Sequence, residues 1–387
     1  MKTNNKLELY WITFIIIGKI VLRLEQFPII YSSITVFAFL TLLMIYIKNI
    51  KSFVKVFLSP FVISLFIIFG YLTLRTISMG FPIQIYLLMI VFMPIAFLFA
   101  YKNVILKSPE VFFVIVADVY LTYFTINTIL MIFLPNLFGS SSDGYSYLIA
   151  SNYNQMGGIV IPGLLASAGA MYYKSKYKKR FIMMSLLTIF MVLYAGSMTS
   201  TICLTLILLY YIFAKKYRLI SKIAFGGMIA IIAFFIIDVV ISSFTNSISF
   251  NGFIERFLTF IGKDATFSGR TNVWLKSFLI FSNEPLEGIG YYDREWSEIY
   301  LGVANTHNII IEILLQGGFV WLLMIVIAIF ILIKNVIKID SIESRLSLFI
   351  ILVCLFMMQL EVYRYFHLVM SFLILYMMIY THKYSKR

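Results

Sequence analysis

Residues 306–326 read THNIIIEILLQGGFVWLLMIV, a polar opening at His307 and Asn308 followed by an apolar run that continues to about residue 333. A helix needs about 20 apolar residues to cross roughly 30 Å of hydrocarbon, and this stretch supplies them. Eleven more apolar blocks fall at about 8–23, 27–47, 54–74, 82–101, 111–134, 156–173, 181–196, 199–214, 222–243, 346–360 and 365–381. Hydrophobic residues make up 61% of the 387 and charged residues only 12%, against roughly half and a quarter in a soluble domain. Lipid is therefore the solvent. The expected fold is an all-α polytopic membrane protein of about twelve transmembrane helices, with one crossing left open in each of the crowded pairs 181–214 and 346–381. The opening MKTNNKLELY has two lysines ahead of its apolar run and no small-residue cleavage site, so it reads as the start of the first helix.

Placing the N-terminus in the cytoplasm puts 22 of the 31 Lys and Arg on cytoplasmic segments, eight outside and Lys19 within a helix. The clusters Lys174 to Arg180, Lys215 to Lys222 and Lys383 to Arg387 all alternate to the inner side, as the positive-inside rule requires. Both termini are then cytoplasmic. The net charge of +14 is an orientation signal, and nucleic acid is not an expected partner. Cys203 and Cys354 lie inside apolar blocks, and the three histidines lack zinc-binding spacing, so neither a metal nor another cofactor is expected. The chain divides into residues 1–243 with nine helices and a short outer loop at 135–155, a large extracytoplasmic loop at 244–307, and residues 308–387 with three helices and a cytoplasmic tail. Long loops commonly carry function, and this one is rich in Trp, Phe and Ile.

Within the large loop, SGRTNVWLKSFLIF (268–281) has the pattern of an amphipathic helix against the membrane surface, with Ser268 as N-cap and Trp274, Phe278 and Phe281 on one face. Arg270 lies one turn before Trp274, a placement that a plain interfacial anchor with a snorkelling Arg would also give. Pro285 ends the helix, and Gly288 and Gly290 provide a turn. His307 and Asn308 then open the tenth membrane helix. Glu312 follows a turn later in a hydrocarbon-facing stretch, which makes it a site candidate, as is Asp238 near the outer end of the ninth helix; Lys19 could pair with either.

Taken in order, Arg270-x3-Trp274, Pro285-x2-Gly288-x-Gly290, and His307-Asn308 with Gly318 after nine residues resemble the superfamily of O-antigen ligases and O-antigen or capsular polysaccharide polymerases. The segment SNYNQMGGIVIPGLLA (151–166) is similar to the family's Asn-containing opening of a helix, at Asn152 or Asn154. Two positions depart from the family pattern: Met198 stands where a Ser-Arg pair would place an Arg, and Trp321 stands where Gly, Thr or Tyr is usual. The first departure shifts phosphate binding toward Arg270, Arg294, Arg75 and Arg364, all outer by this topology.

The resemblance implies a GT-C-like fold and a glycosyltransferase that works outside the cytoplasmic membrane of a bacterium. Its donor would be an oligosaccharide on undecaprenyl diphosphate, its acceptor a second such glycan, and a chain-length regulator a further partner. Arg270 would stabilise the departing diphosphate, because guanidinium binds phosphate in a fork and stays charged. His307 would be the base that takes the acceptor's proton, since imidazole titrates near working pH, with Glu312 or Asp238 as alternative base or as its orienting partner. Asn308, Asn152, Asn154 and Trp274 would contact substrate, and Trp274, Tyr291, Tyr292 and Trp296 could stack on sugars or simply anchor the loop. The reaction would be metal-independent. An Ile-, Phe-, Lys- and Asn-rich composition favours a capsular or O-antigen repeat-unit polymerase over a ligase. A secondary transporter or flippase is the alternative from another class, and Asp118 in the fifth helix is the residue that fits it best.

Overall fold

The computed structural model describes residues 3–22, 27–48, 56–105, 107–137, 140–141, 144–145, 147–149, 155–214, 222–233 and 270–385. Each of the twelve apolar blocks carries a helix. In chain order these are α1 (Thr3–Val21), α2 (Pro28–Lys48), α3 (Pro60–Ser78), α4 (Ile85–Ile105), α5 (Glu110–Phe133), α6 (Met156–Tyr173), α7 (Lys178–Tyr194), α8 (Met198–Ala214) and α9 (Lys222–Ala233). Two loop helices follow, α10 (Arg270–Phe281) and α11 (Arg294–Tyr300), and then α12 (Ile309–Ile337), α13 (Ile342–Met357) and α14 (Tyr365–Ser385). Six of the described helices are long and apolar enough to cross a membrane by length and composition. The chain is thus an all-helical polytopic membrane protein; a two-residue hairpin, Ser140–Ser141 with Gly144–Tyr145, is the strand pairing among the described residues.

The core forms around α6, whose side chains from Met156 to Met171 are all buried. Its small residues let neighbours approach, the usual basis of helix association in lipid, where apolar contact alone gives no preference. At Gly158 the ring of Tyr363 fills the space that a Cβ would need. Around this core, α2 turns Ile29, Phe37, Phe39 and Met44 outward, a lipid-facing surface rather than an unfinished core.

Chain alternation brings the connections at 79–84, 195–197, 282–308 and 358–364 to one end of the bundle. Among the described residues, the opposite end holds the basic cluster Lys174 to Arg180. There Lys174 pairs with Glu110 at 2.7 Å, and Arg180 with Asp118 at 2.9 Å. Asp118 also accepts from the Tyr10 hydroxyl at 2.6 Å. Its charge is met by a structural pair, so the feature that favoured a transporter has an ordinary cause. Lys19 donates to Thr35 Oγ1 at 2.6 Å and stacks over Tyr31; it does not pair with Glu312.

Candidate active site

The site end is built around a break in α12. Gly318 has φ 65° and ψ −168°, a conformation essentially restricted to glycine, and it interrupts the helix. The turn from Pro285 to Gly290 plugs this break. Ile289 N donates to Leu315 O at 2.9 Å, Gly290 N to Gln316 O at 2.8 Å, Phe319 N to Pro285 O at 3.0 Å and Val320 N to Leu286 O at 3.1 Å. A Cβ on Gly288 would lie 2.6 Å from backbone atoms of residues 316–318, so glycine is what lets the two main chains touch. From α3, Arg75 Nε donates to Gly288 O at 2.7 Å while its other nitrogens pair with Glu284 at 3.1 Å and Glu287 at 3.0 Å. The Arg75 fork is therefore occupied within the turn and would have to release a carboxylate before it could meet a phosphate.

A second cluster forms where α12 begins. Asn308 caps the helix: its Oδ1 accepts from Ile310 N at 2.9 Å and Ile311 N at 3.3 Å, and its Nδ2 donates to Gln359 O at 3.1 Å. Ile309 N donates to Met358 O at 2.8 Å, so the mouth of α12 is stitched to the α13–α14 connection. Fully buried, Asn308 shapes the site from within rather than from its surface. Just before it, His307 has φ 55°, a left-handed backbone that disfavours a residue with a Cβ by about 1–3 kcal/mol. Asn305 Oδ1 accepts its N–H at 2.9 Å. This conformation turns the imidazole toward Glu361, whose carboxylate oxygens lie 3.2 and 3.4 Å from Nδ1. The His307 side chain is 26% exposed and that of Glu361 8%.

Glu312 faces protein, not hydrocarbon as its position in an apolar run suggested. Its oxygens accept from Tyr292 Oη at 2.7 Å, Gln316 Nε2 at 2.7 Å, and Thr306 Oγ1 and N at 2.8 and 3.1 Å. Burial, and then the Glu312 charge, push the Tyr292 phenol well above its usual range, which keeps it a donor. Thr306 O in turn accepts from Trp274 Nε1 at 2.8 Å. Trp274 is thus buried against the segment leading into His307, and Phe281 packs edge-on against Phe319. The amphipathic face of α10 covers α12.

The remaining candidates separate. Arg364 is exposed beside the mouth of α12, with its guanidinium over the Tyr86 ring at 5.9 Å. Arg294 is exposed on α11 and pairs with Glu298 at 2.6 Å. Arg270 starts α10, one turn before the Trp274 anchor. The side chain of Arg270 lies outside the described residues, as do Ser268, Asp238, Asn152 and Asn154. Ser197, Thr199, Ser200 and Tyr363 line a narrow cleft on the flank of Glu361, and Met198 opens α8 beside it. Trp321, the other departure from the family pattern, is fully buried and donates to Ile68 O at 2.8 Å. Sequence reasoning missed Glu361. The available signal was a carboxylate at the edge of an apolar block, in QLEVYR (359–364), the criterion that had selected Asp238 and Glu312.

Two comparisons bear on this arrangement. Residues 182–326, from α7 through the His307 mouth into α12, match the family model described as O-antigen ligase. Over 125 residues the chain is 26% identical to the exopolysaccharide production protein ExoQ of Rhizobium meliloti (strain 1021). That alignment takes in 29% of this chain and spans a quarter (25%) of the relative's length.

Proposed function

We propose that this chain, whose residues 182–326 match the O-antigen ligase family model and which shares 26% identity over 125 residues with an exopolysaccharide production protein, is a polysaccharide polymerase joining undecaprenyl-diphosphate-linked repeat units at the outer face of the bacterial cytoplasmic membrane. The observation that carries this reading is His307, held in a left-handed conformation at the mouth of α12 with its ring part-exposed, at the end of the bundle away from the basic cluster Lys174 to Arg180. Basic clusters favour the cytoplasmic side, which supports an outer position for His307, where the lipid diphosphate would be presented.

In the proposed reaction the acceptor's hydroxyl oxygen bonds to the anomeric carbon of the donor sugar as that carbon's bond to the phosphate oxygen breaks. The lipid diphosphate leaves with the electron pair, and the hydroxyl proton passes to His307. Arg270 and Arg364 neutralise the leaving group, so the mechanism calls for no metal. Lys or Arg near a phosphate acts by charge, but the guanidinium fork also fixes geometry. Glu312, with four donors on its carboxylate, supports the loop in this reading and leaves proton transfer to His307.

The test is complementation of a polymerase-null strain with the native chain, Arg270→Ala and His307→Ala, each checked for membrane expression, with polysaccharide length read on a gel. Long chains from the native protein and single repeat units from both variants are expected. Normal polymer from both variants would remove this site from consideration. Restored attachment of preformed polymer, with no change in its length, would favour the ligase reading instead.

A further inference from the structure

We propose that Glu361 is the positioning residue of the site: it accepts the Nδ1 hydrogen of His307 and so leaves Nε2 as the basic nitrogen that meets the acceptor. The proposal rests on the reading of His307 as the base. Three features support it. The two carboxylate oxygens lie 3.2 and 3.4 Å from Nδ1, and the Glu361 side chain is buried while the imidazole is part-exposed. The residues on either side of the pair are pinned to each other by main-chain-directed bonds, Asn308 Nδ2 to Gln359 O and Ile309 N to Met358 O. The left-handed backbone at His307 is maintained by the Asn305 side chain, so the ring direction is held by the fold rather than by the ring's own preference.

The chemistry follows from what each group can carry. A carboxylate has no hydrogen to give, so the facing nitrogen must hold one, and a neutral imidazole then has its lone pair on the other nitrogen. When the acceptor's proton arrives at Nε2, the imidazolium keeps its Nδ1 hydrogen on Glu361, and the fixed carboxylate stabilises the positive charge without moving. No proton needs to reach Glu361. Tyr363, two residues on, stays a phenol because burial and then the Glu361 charge raise it well above its usual range; it does not compete as a base.

The full chain in nanodiscs, supplied with lipid-linked repeat units extracted from cells lacking it, provides the test. Glu361→Gln keeps the side chain's shape and should lower kcat roughly 100-fold or more, the scale of a misdirected base, with KM changed about twofold or less. Glu361→Asp should recover part of the loss. In ¹⁵N-histidine spectra, with His307 assigned by its absence from His307→Ala, the native chain should show the Nδ1–H form and Glu361→Gln a mixture. Native kcat in Glu361→Gln, or an unchanged His307 tautomer, overturns the proposal. Polymer formation by His307→Ala would instead overturn the reading on which it rests.

Discussion

Replacing Gly318 by alanine should undock the turn at 285–290 from α12. At φ 65° and ψ −168° a Cβ is strained by about 1–3 kcal/mol. The new methyl would also run into the Leu286 carbonyl, a main-chain group that cannot rotate away. The bonds from Phe319 N to Pro285 O and Val320 N to Leu286 O would be lost, each with a net value of about 0.5–1.5 kcal/mol. Together these amount to about 2–6 kcal/mol against the docked state, enough to lower its population relative to the undocked state by roughly 30-fold or more. Limited trypsin digestion of the chain in nanodiscs reads this directly, because Arg294 is already exposed and cleavage near it should accelerate when the loop lifts. Polymer length should fall in parallel, because the same loop carries Thr306 and His307. Gly70→Ala is the control: it lies in α3, a Cβ there meets nothing within 4 Å, and the change should be neutral or slightly stabilising. Native protease protection and native polymer in Gly318→Ala would refute the interlock.

Arg75→Met keeps the aliphatic stem but removes the bond to Gly288 and both ion pairs, and with Glu284 and Glu287 about half exposed to water the loss should be only about 1–2 kcal/mol. Faster trypsin cleavage at unchanged donor KM is expected; a raised KM in fully folded protein would place Arg75 on the substrate instead. Glu312→Leu strands the Tyr292, Thr306 and Gln316 donors, each buried unpaired group being unfavourable by about 1–3 kcal/mol, so the variant should fail to accumulate in the membrane. Glu312→Gln should fold with a smaller loss and show activity in proportion to the folded amount; a folded but inactive Gln variant would return Glu312 to the chemistry.

The helices were legible because lipid imposes a rule that a single sequence records directly: about 20 apolar residues, a polar break and an alternation of basic ends. The Pro-x2-Gly-x-Gly turn and the Gly317-Gly318 pair were also visible, but as separate motifs. Their pairing across about 30 positions, with Arg75 from more than 200 positions away closing the turn, is a tertiary fact that no local pattern encodes. The same distance hid the partner of His307. Glu361 stands in a seven-residue connection that reads as an ordinary loop until α13 and α14 fold back on the mouth of α12. Asn308 and Arg75 were recognisable as polar residues in the right place, whereas their use in a cap and a clamp depends on carbonyls from distant segments.

The break at Gly318 also explains how a glutamate and an interrupted helix can sit within the most apolar segment of the chain. At 1.5 Å per residue, the 29 residues of α12 span about 43 Å, well beyond the roughly 30 Å of hydrocarbon. Residues 319–337, on the far side of the break, cover about 28 Å by themselves, and Phe319, Leu323, Val326 and Phe330 are exposed along them as a lipid-facing surface should be. The stretch from Ile309 to Gly318 is instead almost wholly buried, beneath α10, the 285–290 turn and the 358–364 connection. Irregular backbone at membrane depth is tolerated only where protein or water satisfies it, and here the turn supplies hydrogen bonds that the broken helix lacks. The loop thus makes the break stable, and the covered half-helix above it lifts His307 and Glu361 to the end of the bundle where a glycan, rather than a lipid tail, would reach them.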